Sequence, residues 1–183
     1  MTPAVGRDTL LSSDDDGVSR PMDRGVTVRR ATAADAGGIA RVHVTGWREA
    51  YAERLPADFL ASLDADRFAR NWERILSDGV TDAFVAERDG EIVGWATAGP
   101  GRDDDAPRPR ELEGIYVVAA VYGSGAGQQL LDAAVGASPA YLWVMAGNAR
   151  AEAFYRRNGF AADGGTATHT LGGTDVPVLR LTR

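Results

Sequence analysis

A cluster of glycines between a predicted strand and a predicted helix contains the residue types best suited to chemistry. The sequence at this point reads Gly123-Ser124-Gly125-Ala126-Gly127-Gln128. The first N–H groups of a helix have no partner within the helix, and the helix dipole adds about half a positive charge there. Glycines let an anion approach those N–H groups closely. The cluster therefore predicts a binding site for a phosphate-bearing molecule.

Three common motifs do not fit this glycine cluster. The dinucleotide fingerprint needs a glycine where Gln128 stands, and the chain has no lysine for a phosphate loop of the NTPase type. Tyr122 replaces the first glycine that a nucleophile elbow around Ser124 would need. On the glycines alone, a phosphate site and an ordinary strand-to-helix turn fit the pattern equally well.

A second motif follows the glycine cluster after one predicted strand. The run I-Y-V-V-A-A-V-Y-G-S-G-A-G-Q-Q-L-L begins at Ile115, and N-A-R-A-E-A-F-Y-R-R-N-G-F begins at Asn148. Together they resemble the GNAT N-acetyltransferase superfamily, in which the second segment provides an Asn and a Tyr seven residues apart, here Asn148 and Tyr155. The resemblance extends from about Val26 to the C-terminus and includes W-R-E-A-Y from Trp47.

The resemblance implies that acetyl-CoA is the co-substrate, with no metal, and that backbone N–H groups bind it. In this family a local splay of the strand before the glycines frees backbone groups for the pantetheine arm and for the thioester oxygen. The strand residues that match are Ile115, Tyr116 and Val117. The diphosphate is expected against Gly123, Ser124, Gly125, Ala126, Gly127 and Gln128. Asn148 is expected to cap its helix and to hydrogen-bond the cofactor arm.

The resemblance also implies which residues move protons. Tyr155 matches the general acid, and a phenol with a pKa of about 10 can protonate a departing thiolate. The attacking amine must lose a proton, and Glu111, fourteen residues before Gly125, matches the position of a base in some members. Glu113 is the second candidate, because residues two apart on a strand share a face. Water is the third.

Aromatic residues indicate where the acceptor binds. Trp47 and Tyr51 lie in the segment that usually forms the acceptor pocket in this family, where aromatic rings favour a cationic or flat substrate. Packing between the first two helices is the alternative for both residues. Trp143 stands where some relatives that act on peptide N-termini have a glutamate, and Tyr122 where Arg or Gln often precedes the glycines. The pattern favours a small primary amine over a peptide.

The elements that position these residues follow from hydrophobic periodicity and turn residues. The predicted order is strand, two helices, three strands, helix, strand, helix and two strands. The strands are predicted near 26–29, 83–86, 92–96, 111–118, 141–145, 167–171 and 176–181. This order predicts an α/β (α+β) fold, a single GNAT-like domain with a mixed central β-sheet of about seven strands and helices on both faces.

The composition excludes several classes of protein. The 183 residues suit one domain, and they include no cysteine and no lysine, which excludes disulfides, thiolate nucleophiles and Schiff-base chemistry. A net charge of −6 argues against nucleic-acid binding. No run is long and apolar enough for a membrane span and none resembles a signal peptide, so we expect a cytoplasmic protein without a membrane partner.

Two further expectations concern organisation. Residues 1–25 are rich in Asp, Ser, Gly and Arg and are predicted to form a flexible tail, with the acetyltransferase domain at 26–183. The exposed edge of the final hairpin is consistent with a homodimer.

The leading hypothesis is an acetyl-CoA-dependent N-acetyltransferase that moves the acetyl group to a primary amine of a small molecule by direct attack. The alternatives are a non-catalytic acetyl-CoA-binding or sensing module, a peptide or protein N-acetyltransferase, and a structural α/β domain that binds no nucleotide.

Overall fold

The computed structural model describes residues 25–183, so the predicted tail at 1–25 lies outside the described residues except for Gly25. The described part contains α1 (Ala36–Ala50), α2 (Ala57–Ala61), α3 (Ala65–Asp78), α4 (Ala126–Ala134) and α5 (Ala149–Arg157). Its strands are β1 (Thr27–Arg30), β2 (Asp82–Arg88), β3 (Glu91–Pro100), β4 (Arg110–Val117), β5 (Tyr141–Met145), β6 (Ala161–Leu171) and β7 (Thr174–Thr182). None of these helices has the length and apolar character that crossing a membrane requires.

The strands form one sheet in the order β1-β2-β3-β4-β5-β7-β6. All neighbouring strands are antiparallel except β4 and β5, which run parallel. The glycine loop and α4 form the crossover that joins this parallel pair, as parallel strands require. The predicted mixed sheet of about seven strands is confirmed.

Helices cover both faces of the sheet. On one face α1 and α3 pack against β2 and β3, in a core that includes Ile39, Trp72 and Trp95. On the other face α4 and α5 pack in a core that includes Leu130 and Tyr155. Since β4 and β5 lie in the middle of the sheet, a gap between them opens toward both layers.

Local signals in the sequence set the ends of the helices. Asp64 caps α3 by accepting a hydrogen bond from Asp66 N at 2.8 Å. Asn148 caps α5 in the same way, accepting from Ala151 N at 3.1 Å. After α5 the chain turns at Gly159, whose φ of 82° lies in the left-handed region that favours glycine.

One strand is longer than predicted. β6 begins at Ala161, whereas the sequence predicts its start at Ala167. The pairing with β7 shifts register between Ala162 and Thr166, and Arg180 Nε donates to Asp163 Oδ2 at 3.0 Å. The glycines at 164 and 165 therefore form a bulge within the strand and do not end it.

Candidate active site

A cleft opens in the middle of the sheet because β4 and β5 diverge. The two strands pair at one position, where Glu111 lies beside Tyr141. On its other edge β4 pairs with β3 from Arg110 to Val117. Among residues 25–183, the edge of β4 that faces β5 therefore has no strand partner beyond Glu111. This cleft has the form of the local splay expected from the sequence.

Two backbone N–H groups of β4 point into the cleft. Val118 N donates to Val93 O on β3 at 2.9 Å. Successive N–H groups along a strand point to opposite edges, so those of Val117 and Ile115 face the cleft. Tyr116, between them, directs its own N–H toward β3. Of the three predicted strand residues, Ile115 and Val117 have backbone N–H groups free to donate to a ligand.

The Tyr116 side chain forms a wall on the α1 face. Its ring centroid lies 5.6 Å from that of His43 and 5.1 Å from that of Trp95. Gly46 lets α1 approach this ring, because a Cβ at Gly46 would lie 2.8 Å from Tyr116 Cδ1. Burial raises the pKa of the Tyr116 phenol well above its ordinary value, and nearby Tyr51 adds to the shift. The phenol is therefore neutral at pH 7.

The glycine loop leaves N–H groups unpaired at the start of α4. Gly123 and Gly125 have φ values of 79° and 86°, which favour glycine. The first helical hydrogen bond of α4 runs from Gln129 N to Gly125 O at 3.0 Å. The N–H groups of Gly127 and Gln128 therefore have no partner within the helix, which is the arrangement that binds anions.

Ser124 stabilises the loop from within. Its Oγ donates to Val121 O at 2.7 Å and accepts from Ala126 N at 3.3 Å. The Ser124 side chain is therefore occupied inside the loop and shapes the anion site without lining it.

Tyr155 brings a phenol to the cleft from α5. Its ring is buried against Phe154 and Phe160, with centroids 5.3 Å and 5.9 Å away. Burial raises the pKa of Tyr155 above its ordinary value, and Tyr51 contributes to the same shift. The phenol therefore holds its proton at pH 7.

A cavity of about 620 Å³ connects these features through the cleft. It extends from the glycine loop on the α4 and α5 side to residues of the α1 side. Most of the predicted site residues line it: Tyr51, Ile115, Tyr116, Val117, Gly123, Gly125, Ala126, Gly127, Gln128, Asn148 and Tyr155. Of the remaining predicted residues, Ser124 lies within the loop, and Glu111 and Trp47 lie elsewhere.

Glu111 does not reach this cavity, and the expectation that it takes the proton of the amine is corrected. Its buried carboxylate accepts hydrogen bonds from Arg102 Nη2 at 2.6 Å, Arg102 Nε at 2.9 Å and the Tyr141 hydroxyl at 3.0 Å. Burial opposes ionisation, but the hydrogen bonds and charge of Arg102 outweigh it and hold the pKa of Glu111 below its ordinary value. Glu111 is a structural ion-pair partner.

Glu113 lines the cavity instead. Across the sheet Thr97 pairs with Gly114 and Ala98 with Leu112, which leaves Glu113 as the extra residue of a β-bulge. Burial raises the pKa of Glu113, while Arg102, 3.9 Å away, acts in the opposite direction. Its carboxylate lies near Thr81, Thr97 and Arg102, and a carboxylate with a raised pKa is suited to general base catalysis.

The two aromatic residues predicted for the acceptor pocket have different positions. Tyr51 lines the cavity at the end of α1. Trp47, one turn earlier, packs with its ring centroid 5.4 Å from His43 and 6.2 Å from Phe68. The substrate-binding role expected for Trp47 is therefore corrected to packing between α1 and α3, the alternative that the sequence left open.

Residues 51–63 and the β6–β7 turn pack together next to the cavity. The apolar cluster that joins them includes Leu55, Leu60 and Val176, and its members Tyr51 and Met145 also line the cavity. Gly172 in the turn lies directly against the ring of Phe59, so a larger residue does not fit there.

His43 is not a base for this site. Its Nδ1 accepts a hydrogen bond from Trp72 Nε1 at 3.2 Å, and burial lowers its pKa to about 4. It is therefore a neutral core residue at pH 7. Within residues 25–183, no cluster of His, Cys, Asp or Glu is arranged to hold a metal ion.

Several residues that line the cavity are not among those predicted from the sequence. Arg150, Phe154 and Arg157 line the cavity from α5, and Trp143 and Met145 line it from β5. The α5 residues follow the spacing of one helix face, which contains Tyr155 at its edge. That periodicity was the available signal, and it predicts that the same face meets the ligand.

Comparisons with known proteins agree with this geometry. Residues 44–160 match the family model described as "Acetyltransferase (GNAT) family". An uncharacterized N-acetyltransferase of Bacillus subtilis, YuaI, is 36% identical over 130 residues, which cover 67% of this chain and 73% of that protein.

Solved structures show the same fold. A ribosomal-protein-alanine N-acetyltransferase from Brucella melitensis is 25% identical with a TM-score of 0.61, and the match covers 86% of this chain and 98% of that one. The PaiA N-acetyltransferase from Thermoplasma acidophilum, solved in complex with coenzyme A, is 16% identical with a TM-score of 0.60. The match covers 85% of this chain and 98% of that one.

Proposed function

This chain belongs to the acetyltransferase (GNAT) family and is an acyltransferase, and we propose that it moves the acetyl group of acetyl-CoA to a primary amine of a small molecule. The observation that carries the proposal is the cleft between β4 and β5. The free N–H groups of Ile115 and Val117, the glycine loop and the Tyr155 phenol all border the one cavity that this cleft forms.

The residues of the cavity fit acetyl-CoA. The unpaired N–H groups of Gly127 and Gln128 offer donors to a diphosphate. The free edge of β4 offers further N–H groups to the amide-containing pantetheine arm, in the manner of an added strand. The Thermoplasma structure of the same fold contains coenzyme A, which supports this assignment.

The groups on the cavity wall provide for both proton transfers. Acetyl-CoA supplies the acetyl group as a thioester, and direct attack by the amine forms a C–N bond and breaks the C–S bond. A β4 N–H, from Ile115 or Val117, donates to the thioester oxygen as negative charge develops there. Glu113 takes the proton from the amine, directly or through water, and Tyr155 gives its proton to the departing sulfur.

The shape of the acceptor side supports a small amine. Tyr51, Glu113, Trp143 and Met145 line the acceptor side of the cavity. An aromatic and carboxylate lining favours a cationic or flat molecule of small size.

A peptide N-terminus is the second candidate acceptor. The 25% identity with the Brucella ribosomal-protein-alanine acetyltransferase favours it. Trp143 argues against it, because its indole Nε1 donates to Asp103 Oδ2 at 2.9 Å at a position where some peptide-directed relatives have a glutamate. The small amine therefore remains the leading proposal.

A thiol-release assay with acetyl-CoA tests the proposal over diamines, amino acids, aminoglycosides and peptides, with mass spectrometry of the product. We expect free coenzyme A together with an acetylated small amine. Turnover with peptides alone would favour the second candidate. Binding of acetyl-CoA without turnover of any amine would instead identify a sensing module and contradict the proposal.

A further inference from the structure

The glycine loop of this chain contains no cationic side chain. Its residues from 123 to 128 are glycine, serine, alanine and glutamine, and Tyr122 precedes them. Backbone N–H groups alone therefore face the diphosphate from this loop, although the proposed ligand is strongly anionic. An arginine of another element lies at the same place.

Arg150 of α5 stacks on Tyr122. Its guanidinium carbon lies 3.9 Å from the centroid of the Tyr122 ring, a close cation–π contact. The Tyr122 hydroxyl donates to Glu49 Oε2 on α1 at 3.3 Å. The Tyr122 side chain therefore contacts α1 through its hydroxyl and α5 through the face of its ring, where Arg150 lies.

The stacked guanidinium keeps its hydrogen-bonding edges free. Within residues 25–183, Arg150 makes no ion pair and no side-chain hydrogen bond. A guanidinium that stacks through its face keeps its N–H groups pointing outward in its own plane, where two of them can donate to two phosphate oxygens at once. Both Arg150 and Tyr122 line the cavity beside the glycine loop.

We propose that Arg150, positioned by Tyr122, is a diphosphate-binding residue that provides from α5 the positive charge missing from the glycine loop. The inference rests on the proposed use of acetyl-CoA. Tyr122 is the positioning residue, because the ring and not its hydroxyl makes the contact with the guanidinium. Arg150 lies near the start of α5, where the helix dipole adds further positive potential.

Isothermal titration measures the binding of coenzyme A, dephospho-coenzyme A and pantetheine to the protein and its variants. We expect Arg150→Ala to weaken coenzyme A binding by about 10- to 100-fold, the range for a lost charge-assisted hydrogen bond. Dephospho-coenzyme A retains the diphosphate and should lose affinity by the same factor. Pantetheine has no phosphate and should bind unchanged.

Matched variants separate the role of Arg150 from a general effect of charge. Arg156→Ala removes an exposed arginine of the same helix that does not line the cavity, and we expect less than a twofold change. Tyr122→Phe keeps the ring and should retain binding, whereas Tyr122→Leu should resemble Arg150→Ala. The affinity of Arg150→Ala should also depend less steeply on salt.

Two results would overturn the inference. One is equal coenzyme A affinity of Arg150→Ala and Arg156→Ala, and the other is an effect of Arg150→Ala that disappears with dephospho-coenzyme A, which would place Arg150 at the 3′-phosphate. The absence of coenzyme A binding by the unaltered protein would contradict the proposed function itself. The two failures are therefore distinguishable.

Discussion

The Glu113 carboxylate lies directly over Gly99 of the neighbouring strand. A Cβ at Gly99 would stand 2.8 Å from Glu113 Oε1, closer than side chains tolerate. The absence of a side chain at Gly99 and the bulge at Glu113 together leave room for this carboxylate, and the residue itself lines the cavity. The Glu111 carboxylate, two residues earlier on the same strand, is held by Arg102.

Gly99→Ala should therefore displace the Glu113 carboxylate while leaving the fold intact, since the obstructing atom is the end of a flexible side chain. We expect kcat/KM to fall by about 10- to 100-fold, because small misplacements of a catalytic group are costly. Steady-state kinetics with the amine identified by the assay measures the effect. Gly37→Ala is the control, as its Cβ would meet only Arg41 Nη1 at 3.7 Å. Equal kcat/KM for both variants would show that Glu113 needs no such placement.

Glu113 should determine the acidic limb of the pH profile. Burial raises its pKa, so kcat/KM should rise with pH through a pKa above the ordinary value of a glutamate as the carboxylate loses its proton. Glu113→Gln should remove this limb and lower kcat/KM by about 100-fold or more. A pH–rate profile from pH 4 to 9 of each protein measures this. An unchanged limb in Glu113→Gln would assign the base to water.

Glu111→Gln should affect stability more than activity. The substitution removes the charge that pairs with Arg102 and keeps the possibility of a hydrogen bond to Tyr141. We expect a loss of about 1–3 kcal/mol in the free energy of unfolding, because a buried ion pair is broken on one side. Urea unfolding provides the measurement. A variant with native stability but no turnover would restore Glu111 to a role in proton transfer.

Tyr155→Phe should leave coenzyme A binding nearly unchanged and lower kcat by about 100- to 10,000-fold, because the leaving sulfur loses its proton donor. The raised pKa of Tyr155 keeps the phenol protonated at pH 7, so its ionisation should not reduce activity below pH 10. Titration with coenzyme A and single-turnover kinetics separate the two effects. Full activity in the phenylalanine variant would remove Tyr155 from the mechanism.

Gly125→Ala should weaken coenzyme A binding through the backbone. The φ of Gly125 is 86°, and a Cβ there would meet nothing closer than Gln129 Nε2 at 3.9 Å, so the cost is conformational. We expect a loss of about 1 kcal/mol in stability together with a severalfold loss of affinity. Gly79→Ala, with a φ of 70° at the end of α3, should show the same loss of stability but unchanged affinity. Equal affinity of both variants would argue against binding at the loop.

Local signals in the sequence were sufficient to predict most of the helices and strands of this fold. The apolar run Tyr141–Met145 is β5 with the predicted bounds, and Asn148 caps α5 as expected. The long strand β6 was predicted too short because glycines at 164 and 165 are typical of a turn, and the pairing that continues through them depends on β7. The predicted homodimer and cytoplasmic location stay predictions.

The carboxylate proposed as the base could not be chosen from the sequence. Glu111 and Glu113 are two residues apart, and strand alternation places both on one face. The bulge at Glu113 and the ion pair of Glu111 with Arg102 separate them, and both features depend on contacts between segments. For the same reason helical spacing alone did not show that Trp47 faces the core and Tyr51 the cavity.

Coenzyme A is proposed to bind in the cleft between β4 and β5. Nuclear magnetic resonance of the backbone amides during titration with coenzyme A reports on this binding residue by residue. We predict the largest shifts at the amides of Ile115, Val117, Gly125, Gly127 and Gln128. Saturable shifts confined to other parts of the chain, or none at millimolar coenzyme A, would contradict the account.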